Sequence, residues 1–392
     1  MSTPSRSTPL TKLIWGLKQV WEAVMTDPLA TPLSVFFGSR IALYVLVLFF
    51  VGFFPGEPDE KPNFIEAFSQ WDGAWYLSIA TDGYQWPGSL DVQSNVAFFP
   101  LYPLLGRIVG WLVADAQWGL FIVSNISFAF YLYFLYRLTC QDLDQPSASR
   151  AVLYIAIFPL SFIFSCLYSE STSFAFAIAA FYCARVGKWY VAIPLAILTT
   201  LTRLAGLAIL FPLAYEYLRQ RGLRPQALLL GVIPTGIASF AVYMWALTGN
   251  PLSFLLAHKA WYRTPGPPWK PLVMGFERLK WPLGQYVTAI AIVDFASIVL
   301  LLGLTLLVFK YLPAAYWLYC IPMLFLSFST TIDPMKAPPT GSIPRSLMAI
   351  FPCFMALGKI GKNRYLDQAI RATFAVLLGI ISIYFFSHFW VV

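Results

Sequence analysis

Apolar runs of about 20 residues, the length that crosses ~30 Å of hydrocarbon, recur from one end of the chain to the other, separated by short polar stretches that hold most of the charge. That pattern predicts a helical membrane bundle, because a segment surrounded by lipid must satisfy its backbone internally. A first span is expected over 35–54 and a second over 118–138. Between them, 95–112 is apolar but carries Pro100, Pro103 and Arg107, which suits a re-entrant or surface helix better than a clean crossing. Ahead of the first span, Leu10, Ile14, Leu17, Trp21 and Val24 share one helical face. Residues 1–32 are therefore expected to form a cytosolic helix lying in the membrane interface, the plainer alternative being a flexible tail, and not a signal peptide.

Flanking charges orient the spans, since short cytosolic loops collect Lys and Arg. Arg137 and Arg150 flank one expected inside loop, Arg185 and Lys188 the next; then come Arg219, Arg221 and Arg224, then Lys310, then Lys359, Lys362, Arg364 and Arg371. The expectation is an all-α polytopic bundle of about eleven transmembrane helices, N-terminus inside and C-terminus outside. Counting 95–112 as a span would put these clusters outside. One transmembrane domain over 33–392 results, with outer loops at 55–116, 248–285 and 332–345, the first carrying short juxtamembrane helices.

Composition excludes the soluble classes: 59% of the 392 residues are hydrophobic, 18% aromatic and only 11% charged. The net charge of +8 reflects membrane orientation, and no nucleic-acid partner is expected. Five cysteines without CxxC spacing read as packing residues. With two histidines a His-rich metal cluster is excluded, leaving carboxylate coordination of a hard cation open. No Gly-rich phosphate loop of a nucleotide-driven pump occurs. Neither metal nor cofactor is assigned.

The ionisable residues left on the outer side or within spans are Asp72, Glu170, Arg203, Asp294, Asp333, Lys336 and Arg345. To these the loop 249–285 adds His258, Lys259, Arg263, Lys270, Arg278 and Lys280 against Glu277. A basic loop where few cations are expected calls for an anionic ligand, and guanidinium forks suit phosphate. Arg263 or Arg345 would then neutralise a leaving phosphate, the plain alternative being an anchor to anionic lipid. Asp72 stands among Trp71, Trp75, Tyr76, Tyr84 and Trp86, a partly dehydrated surround that suits a general base and rings that stack on sugars. The plainer reading makes the rings an interfacial belt and Asp72 the cap of a helix beginning at Gly73. Glu170 and Arg203 fall at outer span ends, where charges tend to be paired; Asp294, inside a span, suits a hydrogen bond to a neighbouring helix.

The ordered elements Gln70-Trp71-Asp72-Gly73, Asp82-Gly83-Tyr84 and Phe98-Phe99-Pro100-Leu101-Tyr102-Pro103 resemble the PIG-V family of mannosyltransferases, of the GT-C type. The likeness continues in Phe158-Pro159-Leu160-Ser161, Tyr168-Ser169-Glu170-Ser171, Thr202-Arg203-Leu204-Ala205-Gly206-Leu207, Gly249-Asn250-Pro251 and Arg345 with Phe351-Pro352. The resemblance implies a GT-C-like bundle and an inverting glycosyltransferase. It would take mannose from a polyprenyl or dolichyl phosphate and pass it to a lipid-linked or glycolipid (GPI-like) acceptor. Asp72 would be the catalytic base; Trp71, Trp75, Tyr76, Glu170, Arg203, His258, Arg263, Lys336 and Arg345 would hold substrate. Compact loops point to a bacterial member in the plasma membrane, or to the endoplasmic reticulum in a eukaryote, with the site on the non-cytosolic face. The competing classes are a flippase for lipid-linked sugars, against which the lack of internal self-similarity counts, and a non-catalytic subunit of such an enzyme.

Overall fold

The computed structural model describes residues 27–53, 63–278, 286–332, 343–389 and 391; the expected interfacial helix, Asp333, Lys336 and the Asp294 side chain lie outside them. In chain order, α1 (Ala30–Phe53) leads to a short α2 (Asp72–Thr81), and α3 (Leu101–Val113) and α4 (Ala116–Asp142) form a hairpin. There follow α5 (Gln145–Ala156), α6 (Glu170–Arg185), α7 (Trp189–Thr202), α8 (Leu210–Arg221) and α9 (Thr235–Thr248). The remainder comprises β1 (Arg263–Pro265), α10 (Lys270–Arg278), α11 (Tyr286–Tyr311), α12 (Ala314–Phe328), β2 (Thr330–Ile332), α13 (Ile343–Ala349), α14 (Phe351–Ile360) and α15 (Arg364–Phe386). Among the described residues, α1, α4, α15 and the run Pro225–Thr248 that ends in α9 are long and apolar enough to cross a membrane. The all-α expectation needs one amendment. β1 and β2 form an antiparallel ribbon with Arg263 opposite Ile332 and Pro265 opposite Thr330.

At 13 residues, α3 is about 20 Å long, short of a ~30 Å hydrocarbon core. It lies against α4 through glycines: a Cβ on Gly119 would stand 2.3 Å from the Gly106 carbonyl oxygen and 2.5 Å from the Gly110 nitrogen. Such close approach needs small residues at the crossing. Gly119→Ala is expected to force the hairpin apart and destabilise the protein by about 1–3 kcal/mol, the usual effect of overpacking, read as a lower midpoint of thermal unfolding in detergent.

Two breaks in the helical run shape the interior. Between α5 and α6 the chain makes a 3-10 turn, Ser161–Phe164, that is wholly buried. Non-helical backbone at such depth persists only where protein satisfies its polar groups. Arg40 of α1, 2% exposed, does this: its guanidinium donates to the carbonyls of Ala156 (3.2 Å) and Ser161 (2.9 Å) and to the Ser161 and Ser165 hydroxyls, with the Phe128 ring 4.7 Å from its centre. The second break, at Arg203, turns α7 into a 3-10 segment, Leu204–Ile209. Gly206 is required there, because a Cβ would meet the Thr199 carbonyl oxygen at 2.5 Å.

Charges gather at both ends of α6. At its C-terminus Arg185 pairs with Asp142 and, at 2.8 Å, with Glu216, which also holds Arg219; Asp144, two residues beyond Asp142, pairs with Lys359 at 2.7 Å. At its N-terminus, 16 residues and about 24 Å away, Glu170 opens the cluster described next.

Candidate active site

Asp72 is the first residue of α2, and both ends of that helix are tied down. Before it, Trp71 has φ 56°, a left-handed conformation rare for a bulky residue. Its neighbours hold it there: the Gln70 side-chain Nε2 donates to the Phe386 carbonyl (3.1 Å), and the Gln70 backbone carbonyl accepts from the Tyr168 hydroxyl (3.2 Å). At the far end Arg107 of α3 donates to the carbonyls of Ile79, Ala80 and Thr81, capping the helix C-terminus with a cation. The Asp72 carboxylate does not cap the helix, as the plainer sequence reading has it; it turns to Arg345, whose NH1 donates to Oδ2 at 3.0 Å.

Glu170, the first residue of α6, is 1% exposed and its carboxylate gains from the helix dipole. Its Oε1 receives Arg203 NH1 at 2.8 Å, Arg345 Nε at 2.9 Å and Arg345 NH2. The residues before it contribute too. Ser169 Oγ lies 2.7 Å from the Tyr76 hydroxyl and accepts from Arg203 at 3.3 Å, while the Tyr168 ring lies 4.9 Å from the Arg345 guanidinium centre.

Facing this ionic wall is the segment from His258 to the β1–β2 ribbon. Lys259 pairs with Asp91 at 2.9 Å and the Gln93 side chain donates to the Ala260 carbonyl at 3.3 Å. Trp261 abuts Trp75 and Phe98 edge-on, at 5.9 and 5.8 Å. A cavity of about 350 Å³ lies between, lined by Asp72, Glu170, Arg203, His258, Arg263 and Arg345, with an aromatic side of Tyr76, Phe98 and Trp261 and an apolar side at Met323 and Leu326 of α12.

Of the residues singled out from the sequence, seven thus share one cavity. Trp71 is 41% exposed and Trp75 stacks on Phe98 at 6.2 Å, behind the wall. Tyr84 and Trp86 leave Asp72 altogether and pack in a second aromatic cluster, Tyr84 5.6 Å from Phe240. The aromatic surround expected for Asp72 is therefore rebuilt by folding: Trp261, 189 residues on in sequence, replaces rings that are its neighbours in the chain. Sequence reasoning also passes over Arg40, although a lone Arg within an apolar run is a signal for a buried, fully bonded cation.

Among the described residues that line the cavity, three guanidiniums stand against two carboxylates. Burial, reinforced by Arg263, pushes the His258 imidazole down to about 4, so it is neutral at pH 7 and acts as a hydrogen-bonding group. Burial and the nearby cations of Arg345 and Arg203 also pull Arg263 downward, with Asp72 opposing. A guanidinium does not lose its proton in proteins, so Arg263 stays charged. Among the described residues no hydrogen bond or ion pair engages the Arg263 guanidinium.

Fold and site together define the class: a helical membrane protein whose cavity sets one partly exposed carboxylate among surplus guanidinium charge. The chain is similar to solved structures of the Archaeoglobus fulgidus oligosaccharyltransferase. With the form tethered to an acceptor peptide containing the NVT sequon it shares 16% identity and a TM-score of 0.45, over 90% of this chain and 54% of that one. With the complex with Zn and sulfate it shares 14% identity and a TM-score of 0.44, over 88% and 53%. With AglB from the same organism, in complex with an inhibitory peptide and a dolichol-phosphate, the values are 15% and 0.39, over 91% and 55%. The chain spans about half the length of these proteins. No protein-family model and no curated protein matches it.

Proposed function

We propose that this protein is a membrane glycosyltransferase that moves a hexose from a polyprenyl or dolichyl phosphate to a lipid-linked or glycolipid acceptor, with inversion. The motif resemblance to the PIG-V family makes mannose the expected sugar and a GPI-like lipid one expected acceptor. A bundle of about eleven spans, with the cavity at the non-cytosolic face of a bacterial plasma membrane, accords with the positive-inside pattern. The observation that carries the reading is the shared cavity. Asp72, with Oδ1 unclaimed among the described residues, lines the same cavity as Arg263, whose guanidinium makes no ion pair among them.

The chemistry is a single displacement. Asp72 takes the proton of an acceptor hydroxyl as that oxygen bonds to the anomeric carbon, and the bond from that carbon to the phosphate oxygen breaks with its electron pair on the phosphate. Arg263 and the 34% exposed Arg203 receive the dianion, a job for planar donors. No proton donor is needed on the leaving side. The sugar lies on Trp261 and Phe98, and the prenyl chain leaves past Met323 and Leu326. Arg263→Gln is expected to raise the KM for polyprenyl-phosphate mannose about 10–100-fold, the worth of one charged hydrogen-bonding group. An unchanged KM would remove Arg263 from the phosphate site.

A further inference from the structure

We infer that Arg345 is a positioning residue for the Asp72 carboxylate and not a ligand of the departing phosphate, an assignment that rests on the glycosyl-transfer reading above. All three of its nitrogens are engaged, through three of their five N–H groups. Nε and NH2 both go to Glu170 Oε1, NH1 goes to Asp72 Oδ2, and one face of the fork covers the Tyr168 ring. The side chain is only 11% exposed. A guanidinium holds its N–H groups in one rigid plane, so fixing two sides of it on Glu170 dictates where the third points.

Glu170 is in turn referenced to the packed interior. Beside it the Ser171 hydroxyl donates to the Phe164 carbonyl at 2.9 Å, and the Leu167 amide donates to the Phe68 carbonyl at 2.9 Å. The order of dependence runs from core to Glu170, from Glu170 to Arg345, and from Arg345 to Asp72. Asp72 needs such a tie, because its side chain is 32% exposed and otherwise free to turn about its own bonds. With Oδ2 tied, Oδ1 is the oxygen presented to the acceptor hydroxyl. Its proton passes to Oδ1 while the new bond to the anomeric carbon forms and the phosphate departs with the electron pair of the old one. Arg263 and Arg203 have the opposite character: the first has no carboxylate partner among the described residues, and the second shares Glu170 Oε1 while remaining partly open to the cavity.

The full chain in liposomes, as wild type, Arg345→Gln, Arg345→Lys and Arg263→Gln, tests this with two readouts. One is the binding isotherm of sugar-free polyprenyl phosphate, which gives affinity and the number of competent sites. The other is mannose transfer from polyprenyl-phosphate mannose, expressed as kcat per competent site so that misfolded protein does not count. Arg345→Gln is expected to keep the polyprenyl phosphate affinity within about threefold while kcat per site falls about 100-fold, the effect of misplacing a reacting group. Arg345→Lys should fail to restore kcat, because a compact ammonium keeps the charge but loses the fork. Arg263→Gln should lose affinity instead.

Arg345→Gln weakening polyprenyl phosphate as much as Arg263→Gln would make Arg345 a phosphate ligand. Full kcat in Arg345→Lys would make it a source of charge alone. Either result overturns the inference while leaving glycosyl transfer standing. A wild type that binds polyprenyl phosphate yet transfers no sugar overturns the transfer reading itself, and the positioning role with it. Should the Arg345 variants not fold, Tyr168→Leu removes the ring beneath the fork and keeps every charge, with Tyr168→Phe, which keeps the ring and loses only the hydroxyl bond to the Gln70 carbonyl, as the reference for it. Relative to that reference, Tyr168→Leu is expected to lower kcat per site about tenfold at unchanged affinity, and an unchanged kcat would overturn the inference.

Discussion

Under the proposed glycosyl transfer, Asp72→Asn is expected to leave a folded protein that transfers labelled mannose from polyprenyl-phosphate mannose into a lipid extract about 10²–10⁴-fold more slowly than wild type, the usual worth of a general base. The structure separates this loss from damage to the fold. Asn is isosteric, the side chain caps nothing, and Arg345 keeps both of its bonds to Glu170 when Asp72 loses its charge. What stability is lost comes from a partly exposed ion pair, ~0–1 kcal/mol, and from one charge at a helix start, ~0.3–1 kcal/mol. Transfer at the wild-type rate would make Asp72 structural and move the search for the base to Glu170.

Glu170→Gln has the larger effect on stability. Glu170 is 1% exposed and one of its oxygens neutralises both Arg203 and Arg345. An amide cannot, and removing one partner from a buried ionic cluster costs ~3–5 kcal/mol because uncompensated charge stays behind. Arg203, partly open to the cavity, can turn to water, whereas Arg345 keeps only Asp72. Thermal unfolding in detergent should therefore give a midpoint well below those of wild type and Asp72→Asn. Equal midpoints for the two variants would mean that Glu170 does not bear the charge of the cluster.

The two variants part because the two carboxylates sit at different depths, which the chain does not announce. Both stand beside aromatic residues in motifs of similar look, Trp71-Asp72-Gly73 and Tyr168-Ser169-Glu170. Depth comes from what packs over each: α2 lies along the cavity, whereas α6 begins beneath a buried 3-10 turn. The fate of Arg345 follows from the same fact. As one basic residue in an outer loop it reads as a phosphate ligand; only the fold sets a carboxylate on either side of it and engages all three of its nitrogens. Local aromatic density misleads for a related reason, since successive residues of a helix or turn point in different directions. Tyr84 and Trp86 go to a separate cluster and Trp261 comes in from far along the chain.

By itself, then, the sequence determined what depends on composition and short spacing. The apolar runs locate α1 and α4, because crossing lipid is a matter of length and hydropathy. The charges Asp72, Glu170, Arg203, Arg263 and Arg345 stand out because ionisable groups near lipid are costly without partners or a task. Gly206 stands in the Thr-Arg-x-x-Gly stretch, but only the fold shows that a side chain there would meet the Thr199 carbonyl. Tertiary structure alone decided which charges meet, which of them are left over, and which rings face the cavity. Those outcomes depend on helix breaks at 157–169 and 203–209 and on contacts between segments as much as 316 residues apart, where Coulomb energy and burial depend on distances in space that no local pattern encodes.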